Sequence, residues 1–147
     1  MLTRVYCCGV FDLFHIGHMK LFEKIVQSFD GPIHLIVGVH SDEDVKTYKR
    51  NPILELETRS KTVAYCKYVN EIIPGAQLVT TREFIENKKI DYVIIGEEYK
   101  ENGDIKWYGD AMEMGIHKYI SRYEEISTDS IIKSCVKYYS DLYVSSD

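Results

Sequence analysis

Along the chain, short and nearly continuous apolar runs alternate with stretches whose apolar residues recur every three or four positions. Thr3–Cys8 reads as a first strand, and Gly17 to about Phe29 as a helix, with Leu21, Phe22, Ile25 and Phe29 on one face. Ile33–Val39 is an apolar run broken only by His34, the mark of a strand buried on both faces. A polar, lysine-bearing loop is expected over Ser41–Pro52, then a helix from Glu55 to about Lys67 and a strand over Val69–Ile73 that stops at Pro74-Gly75. The pattern continues with a helix over Arg82–Lys88, a strand over Asp91–Ile95 and a helix over Trp107–Met114 with Gly115 at its C-terminus. A last strand, His117–Ser121, precedes a final helix from Thr128 to about Tyr143. The regular alternation of strand and helix predicts a single α/β domain over residues 1–147, a Rossmann-like, doubly wound parallel sheet. Ligands of such sheets bind at the carboxyl ends of the strands, so the loops after Cys8, Val39, Ile95 and Ser121 are where chemistry is expected.

Composition narrows the function. The chain has 147 residues, 18 Lys+Arg against 23 Asp+Glu, and a formal charge of −5, which argues against general nucleic-acid binding. No apolar stretch approaches a membrane span, and the N-terminus lacks a targeting pattern, so a cytoplasmic protein is expected. Cys7, Cys8, Cys66 and Cys135 have neither CxxC nor zinc-like spacing and read as buried reduced thiols; no protein-bound metal is expected. The last residues, Ser145–Asp147, should fray.

The loop after the first strand reads Gly9-Val10-Phe11-Asp12-Leu13-Phe14-His15-Ile16-Gly17-His18. Gly9 lets a ligand approach the backbone, and the helix start at Gly17 is expected to offer free N–H groups to phosphate. His15 and His18, three apart across Gly17, fall on one side of a helix start and supply two imidazole donors there. A second cluster, Arg122 followed by Ile126-Ser127-Thr128-Asp129, sets a cation and a hydroxyl cap at the start of the last helix.

These two segments carry a resemblance. G-V-F-D-L-F-H-I-G-H resembles the H-x-G-H signature of the nucleotidyltransferase superfamily, and R-Y-E-E-I-S-T-D-S-I resembles the second motif of its cytidylyltransferases, the ethanolamine-phosphate, choline-phosphate and glycerol-3-phosphate enzymes. The likeness runs from about Thr3 to about Tyr139 and takes in Tyr48-Lys49, Asn51-Pro52-Ile53, Lys67–Glu71 and Asp91–Tyr99. First-class aminoacyl-tRNA synthetases share H-I-G-H, but the chain is far shorter and has no K-M-S-K-S-like loop. The resemblance implies transfer of CMP from CTP to a phosphorylated alcohol, giving a CDP-alcohol and pyrophosphate for phospholipid synthesis, with magnesium carried on the CTP.

By the same resemblance His15, His18, Lys49 and Arg122 are catalytic, with Lys46 and Arg50 as alternatives to Lys49. Gly9, Val10, Phe11, Asp12, Gly17, Gly96, Glu97, Ile126, Ser127 and Thr128 are expected to hold the nucleotide, and Arg59, Glu98, Tyr99 and Trp107 the phospho-alcohol, with Arg59 on its phosphate. The sequence departs from the family pattern at Lys67, Asn70, Leu78, Glu97 and Glu98, and Lys100–Tyr108 has no counterpart, so the substrate side diverges most. The motifs look most like the ethanolamine-phosphate enzymes, then the choline-phosphate ones; I-I-G-E-E-Y leans to glycerol phosphate. An adenylyltransferase and a non-catalytic nucleotide-binding module are the alternatives.

The Tyr68–Glu71 segment, which resembles the family's interface, implies a homodimer. The final helix is expected to lay Ile131, Ile132, Cys135, Tyr138, Tyr139 and Leu142 on the sheet, leaving Lys133 and Lys137 as its cations. No stable membrane association, and no response to anionic vesicles, is therefore expected.

Overall fold

The computed structural model describes residues 2–100 and 103–144. Ser145–Asp147, expected to fray, lie outside the described residues. Five strands, β1 (Thr3–Gly9), β2 (Ile33–Val39), β3 (Glu71–Pro74), β4 (Tyr92–Gly96) and β5 (His117–Ile120), form one parallel sheet in the order β3-β2-β1-β4-β5. The helices are α1 (Ile16–Gln27), α2 (Asp42–Lys46), α3 (Leu56–Ala64), α4 (Arg82–Asn87), α5 (Asp104–Glu113) and α6 (Thr128–Tyr143). The chain steps outward from β1 to β3, then crosses back to β4 on the other side of β1. The strand order therefore reverses between β1 and β4, and the connections there diverge to open a crevice at the strands' carboxyl ends.

Alternation along the central strands builds two cores. Val5, Cys7, Leu35 and Val37 face α1 and α3, where Phe22, Ile25 and Val63 are buried. Tyr6, Ile36, Val93 and Ile95 face the opposite layer with Ile85, Tyr108 and Ala111. Cys7 and Cys8 thus point to opposite faces, as adjacent strand residues must. Burying these side chains contributes roughly 1.5–3 kcal/mol apiece, so the sheet is a stiff platform for the loops above it.

The expected elements are present, with local differences that have physical causes. Ser41 caps a short helix, α2, inside the stretch expected as a loop; its side chain accepts from Asp44 N at 3.1 Å. The helix expected to reach Lys67 stops at Ala64, where the Tyr65 and Cys66 amides tighten onto Thr62 O and Val63 O. Val69 belongs to the following turn, because its amide donates to Cys66 O, and Asn70 brackets Leu35 with its amide and its Oδ1; β3 begins only at Glu71. A 3₁₀ turn, Glu97–Tyr99, follows β4, and α5 begins three residues earlier than expected. Gly115 ends α5 with φ +69°, a left-handed conformation that glycine adopts without a Cβ clash.

Two expectations fail. The apolar face of α6 does not lie on the sheet: no residue of this helix is buried, and Val136, Tyr138, Tyr139, Leu142 and Tyr143 are each more than half exposed. Helical spacing reports an apolar face, not what covers it. The argument against membrane association therefore loses its packing premise, although no helix among the described residues is long and apolar enough to cross a membrane. The thiols are also not uniformly buried: all four are free, but Cys135 is exposed on α6 and Cys8 and Cys66 are only partly covered.

Candidate active site

The segment leaving β1 is conformationally tight. Phe11 and Leu13 hold left-handed backbone, φ +53° and +49°, a strain of the kind that surrounding contacts must enforce. Phe11 tucks under Gly9, where an added Cβ would come within 3.0 Å of its ring. Asp12, 4% exposed, accepts hydrogen bonds from Ile53 N at 2.7 Å, Leu54 N at 3.0 Å and Arg50 Nη1 at 3.2 Å. Burial alone would raise its pKa, but these donors outweigh it and hold the carboxyl below its usual value. Asp12 thereby ties the loop after α2, which carries Lys49, to the loop after β1.

His15 is the N-cap of α1. Gly17 N donates to His15 Nδ1 at 3.0 Å, and His15 N donates to His18 Nδ1 at 3.1 Å. Both Nδ1 atoms accept from backbone amides, so each neutral ring carries its proton on Nε2. The result corrects one expectation: the Gly17 amide is not free for phosphate, because the imidazole cap uses it. The donors that the cap leaves over are the two Nε2–H groups, of which that of His15 rests on the Thr128 hydroxyl. His15 Nε2 stands 3.3 Å from Thr128 Oγ1, whose hydroxyl donates to Asp12 O at 3.1 Å. His18 stacks on Phe14 with ring centroids 5.4 Å apart and meets Phe11 edge-on. Burial, then electrostatic interaction with His15, Arg122 and Lys49, pushes the His18 pKa down to about 3; burial and Arg122 lower that of His15. The pair is neutral at physiological pH, with its polarity aimed by hydrogen bonds.

These residues line a cavity of about 610 Å³ at the β1/β4 switch point. Lys49, Arg50 and Arg122 supply its positive wall, and Ser127, Thr128 and Asp129 bring the first turn of α6 to it. Partial burial, then Arg122 and Arg50, draw the Lys49 ammonium below its ordinary pKa. Ser127 caps α6 by accepting from Ser130 N at 3.1 Å, while Ser130 Oγ accepts from Ser127 N. At the other end of the cavity lie Cys8, Gly96, Glu98, Tyr99 and Tyr108. Cys8 Sγ is 3.4 Å from Tyr108 Oη.

Of the residues singled out from the sequence, Gly9, Val10, Phe11, Asp12, His15, Gly17, His18, Lys49, Gly96, Glu98, Tyr99, Arg122, Ile126, Ser127 and Thr128 all line this cavity. Three do not. Arg59 is fully buried, with Nε on Leu54 O and Nη1 on Val10 O, both at 2.8 Å, and Nη2 on Asp42; it is a brace under the site and cannot reach a phosphate. Trp107 is held against Tyr48 and Tyr99, with centroids 4.9 and 5.7 Å away, outside the cavity. Glu97 is exposed and does not line the cavity. Lys46 is exposed off the cavity, so Lys49 and Arg50 are the cations of that loop that reach it. Sequence reasoning missed Cys8 and Asp129 as cavity residues, whereas Tyr108, which it offered with Tyr99 as an aromatic face for the alcohol, lies in the cavity wall. Their signal was positional: Cys8 lies at the end of the first strand, and Asp129 in the first turn of a capped helix.

A doubly wound parallel sheet, with paired imidazoles capping the helix after its first strand and cations ringing the crevice, places this chain in the class of α/β folds that bind ligands at the switch point of the sheet. Sequence comparison narrows the class: the profile of the family described as cytidylyltransferase-like matches residues 6–134, and the chain belongs to that family. It is 36% identical over 143 residues to choline-phosphate cytidylyltransferase 2 of Arabidopsis thaliana, covering 94% of this chain and 46% of that protein. It is 32% identical over 139 residues to the ethanolamine-phosphate cytidylyltransferase of Mus musculus, covering 92% of this chain and 34% of that protein. The chain thus spans less than half the length of these relatives. In fold, it matches the lipopolysaccharide core biosynthesis protein from Thermoplasma volcanium GSS1 with a TM-score of 0.68 at 23% identity, over 84% of this chain and all of that one.

Proposed function

We propose that this chain transfers CMP from CTP to a phosphorylated small alcohol, releasing pyrophosphate and a CDP-alcohol of the kind used to make phospholipids. The observation that carries the reading is the tautomer lock on His15 and His18, which aims two neutral Nε2–H donors into a cavity ringed by Lys49 and Arg122. A phosphate oxygen of the alcohol attacks the α-phosphorus in line, a P–O bond forms, and the bond to the β-phosphate oxygen breaks as pyrophosphate leaves. No enzyme nucleophile is needed. Charge moves onto the equatorial oxygens and the leaving group, and fixed donors stabilise it there. His15 and His18 serve the α-phosphoryl and bridging oxygens, Arg122 and the α6 turn serve the leaving phosphates, and Lys49 draws in the attacking phosphate. With Arg59 committed to its brace, Lys49 is our candidate for the grip on the alcohol's phosphate.

Magnesium belongs to this reading as part of the incoming nucleotide. Asp12 accepts three hydrogen bonds, which suits a metal that arrives on phosphates better than one caged by this carboxylate. Tyr99, Tyr108 and Glu98 offer aromatic faces and a carboxylate, which support phosphocholine or phosphoethanolamine as the alcohol. Identity to relatives also runs 36–37% for three choline-phosphate enzymes and 32% for two ethanolamine-phosphate enzymes. A two-fold homodimer and a cytoplasmic location complete the proposal. The dimer rests on the family resemblance at Lys67–Glu71; within the chain Tyr68 donates to Glu23 at 2.7 Å, and the nearby Tyr65 is 91% exposed. The test of substrate is mass detection of the CDP-alcohol after incubation with CTP and each of phosphocholine, phosphoethanolamine and glycerol 3-phosphate. Product with one of the first two is expected, and product from glycerol 3-phosphate alone would overturn the assignment of the head group.

A further inference from the structure

Arg50 joins three parts of the cavity wall. Its Nη1 donates to Asp12 Oδ2 at 3.2 Å and to Asn51 O at 3.1 Å, and its Nε lies 3.6 Å from Asp129 Oδ1 in the first turn of α6. The two carboxylates differ in kind. Asp12 is 4% exposed and fixed by two backbone amides, so its hold on the guanidinium is directional and lasting. Asp129 is 77% exposed and at ion-pair rather than hydrogen-bond distance, so its hold is weak and exchangeable. Arg50 itself is 43% exposed and lines the cavity next to Lys49. Asp129 thus places a carboxylate where the cationic wall and a helix N-terminus would otherwise meet an anion.

We propose that Arg50 is a further phosphate-binding residue of this chain: Asp12 sets its direction, and Asp129 occupies it until the β- and γ-phosphates of a nucleotide replace the Asp129 carboxylate. The inference rests on the nucleotidyl-transfer reading above and adds to it a cation and its built-in competitor. A guanidinium is suited to this exchange, because its planar fork grips carboxylate and phosphate alike, and it stays charged beside Lys49 and Arg122. Displacement releases Asp129 to solvent, which its exposure makes easy.

The test is calorimetric binding of CTP, CMP and inorganic pyrophosphate to the wild type and to Arg50→Gln, Arg50→Lys and Asp129→Asn. Arg50→Gln is expected to weaken CTP and pyrophosphate about tenfold and to leave CMP within about twofold, since CMP lacks the phosphates concerned. Arg50→Lys should recover part of the loss. Asp129→Asn leaves the Arg50–Asp12 pair intact and should tighten CTP and pyrophosphate roughly two- to fivefold by removing the competitor. Equal weakening of CTP and CMP by Arg50→Gln would make Arg50 a brace of its loop and overturn the proposal, as would unchanged CTP binding. Should Arg50→Gln fail to fold, Asp129→Asn decides alone, and unchanged or weaker binding overturns the proposal. Wild-type protein that binds neither CTP nor pyrophosphate would bring down the nucleotidyl-transfer reading as well, whereas normal wild-type binding with a silent Arg50→Gln removes only this residue.

Discussion

His15 and His18 face each other with ring centroids 3.9 Å apart, and each contributes its Nδ1 to the capping of α1. One turn of hydrogen bonds therefore starts the helix, fixes both tautomers and leaves an Nε2–H on each of two rings that line the cavity. The function of the motif follows from that economy: the residues that form the local structure are also those that present the chemistry.

Replacement of His18 by Ala should leave the protein folded and lower turnover about a hundredfold or more, the effect of removing one fixed donor to a transition-state oxygen. Initial rates with circular dichroism as the folding control check this. Near-normal turnover would exclude His18 from the reaction.

Gly17 is required for space rather than for an unusual φ. A Cβ there would meet His15 Cε1 at 2.7 Å and Nδ1 at 2.9 Å. Gly17→Ala should therefore displace the His15 ring and cut activity at least tenfold while the protein still folds. A crystal structure of the variant should show the ring moved and the Gly17 N to Nδ1 bond lost.

Arg59 is a stability residue. Arg59→Ala empties a fully buried side-chain site, takes the donors from Val10 O and Leu54 O and leaves Asp42, itself 32% exposed, without its cation; the lost hydrogen bonds and packing cost on the order of 3 kcal/mol. Thermal denaturation should show a large drop in Tm or failure to fold. An unchanged Tm with a raised KM for the phospho-alcohol would instead return Arg59 to the substrate.

How much of this was legible beforehand varied with the range of the interaction that decides it. The bounds of β2, Ile33–Val39, and of α6, Thr128–Tyr143, follow from local apolar pattern and capping residues, and both were read correctly. The crevice residues from Gly9 to His18 follow from strand-to-helix topology. Arg59 could not be read, because a buried brace and a free phosphate grip share one residue type, and only the positions of Val10, Leu54 and Asp42 distinguish them. The exposure of α6 escaped for a similar reason, since periodicity along a helix does not reveal a neighbour. The start of α5 was obscured by Ile105, apolar yet 76% exposed, which does not mark a core face.

The depressed histidines predict an acid-labile fold. A histidine whose folded pKa lies below its unfolded value of about 6.5 leaves the unfolded state holding more protons, so stability falls as pH drops below 6.5. His18, pushed down to about 3, acts across the whole interval from 6.5 to about 3, and His15 adds in the same direction. His40 is raised, because hydrogen bonding and charge contact with Cys8 outweigh its burial; its contribution is complete below 6.5 and is lost above it, so it does not mask the effect. Asp12, depressed, adds its own loss only below about pH 4. Denaturant unfolding between pH 6.5 and 4.5 should lose up to about 1.4 kcal/mol per pH unit for each fully depressed histidine, and His18→Gln should flatten the slope. A slope unchanged by His18→Gln would mean that His18 titrates normally in the folded protein.

The most direct measurement is pyrophosphate release by the wild-type chain, with CTP or ATP crossed against phosphocholine, phosphoethanolamine and glycerol 3-phosphate, and with His18→Ala alongside. Release that requires both CTP and a phosphorylated alcohol, is absent with ATP and is lost in His18→Ala is the predicted result. A folded wild type that binds CTP yet releases no pyrophosphate with any phosphorylated alcohol, or that releases it equally well from ATP, would contradict cytidylyl transfer at this site.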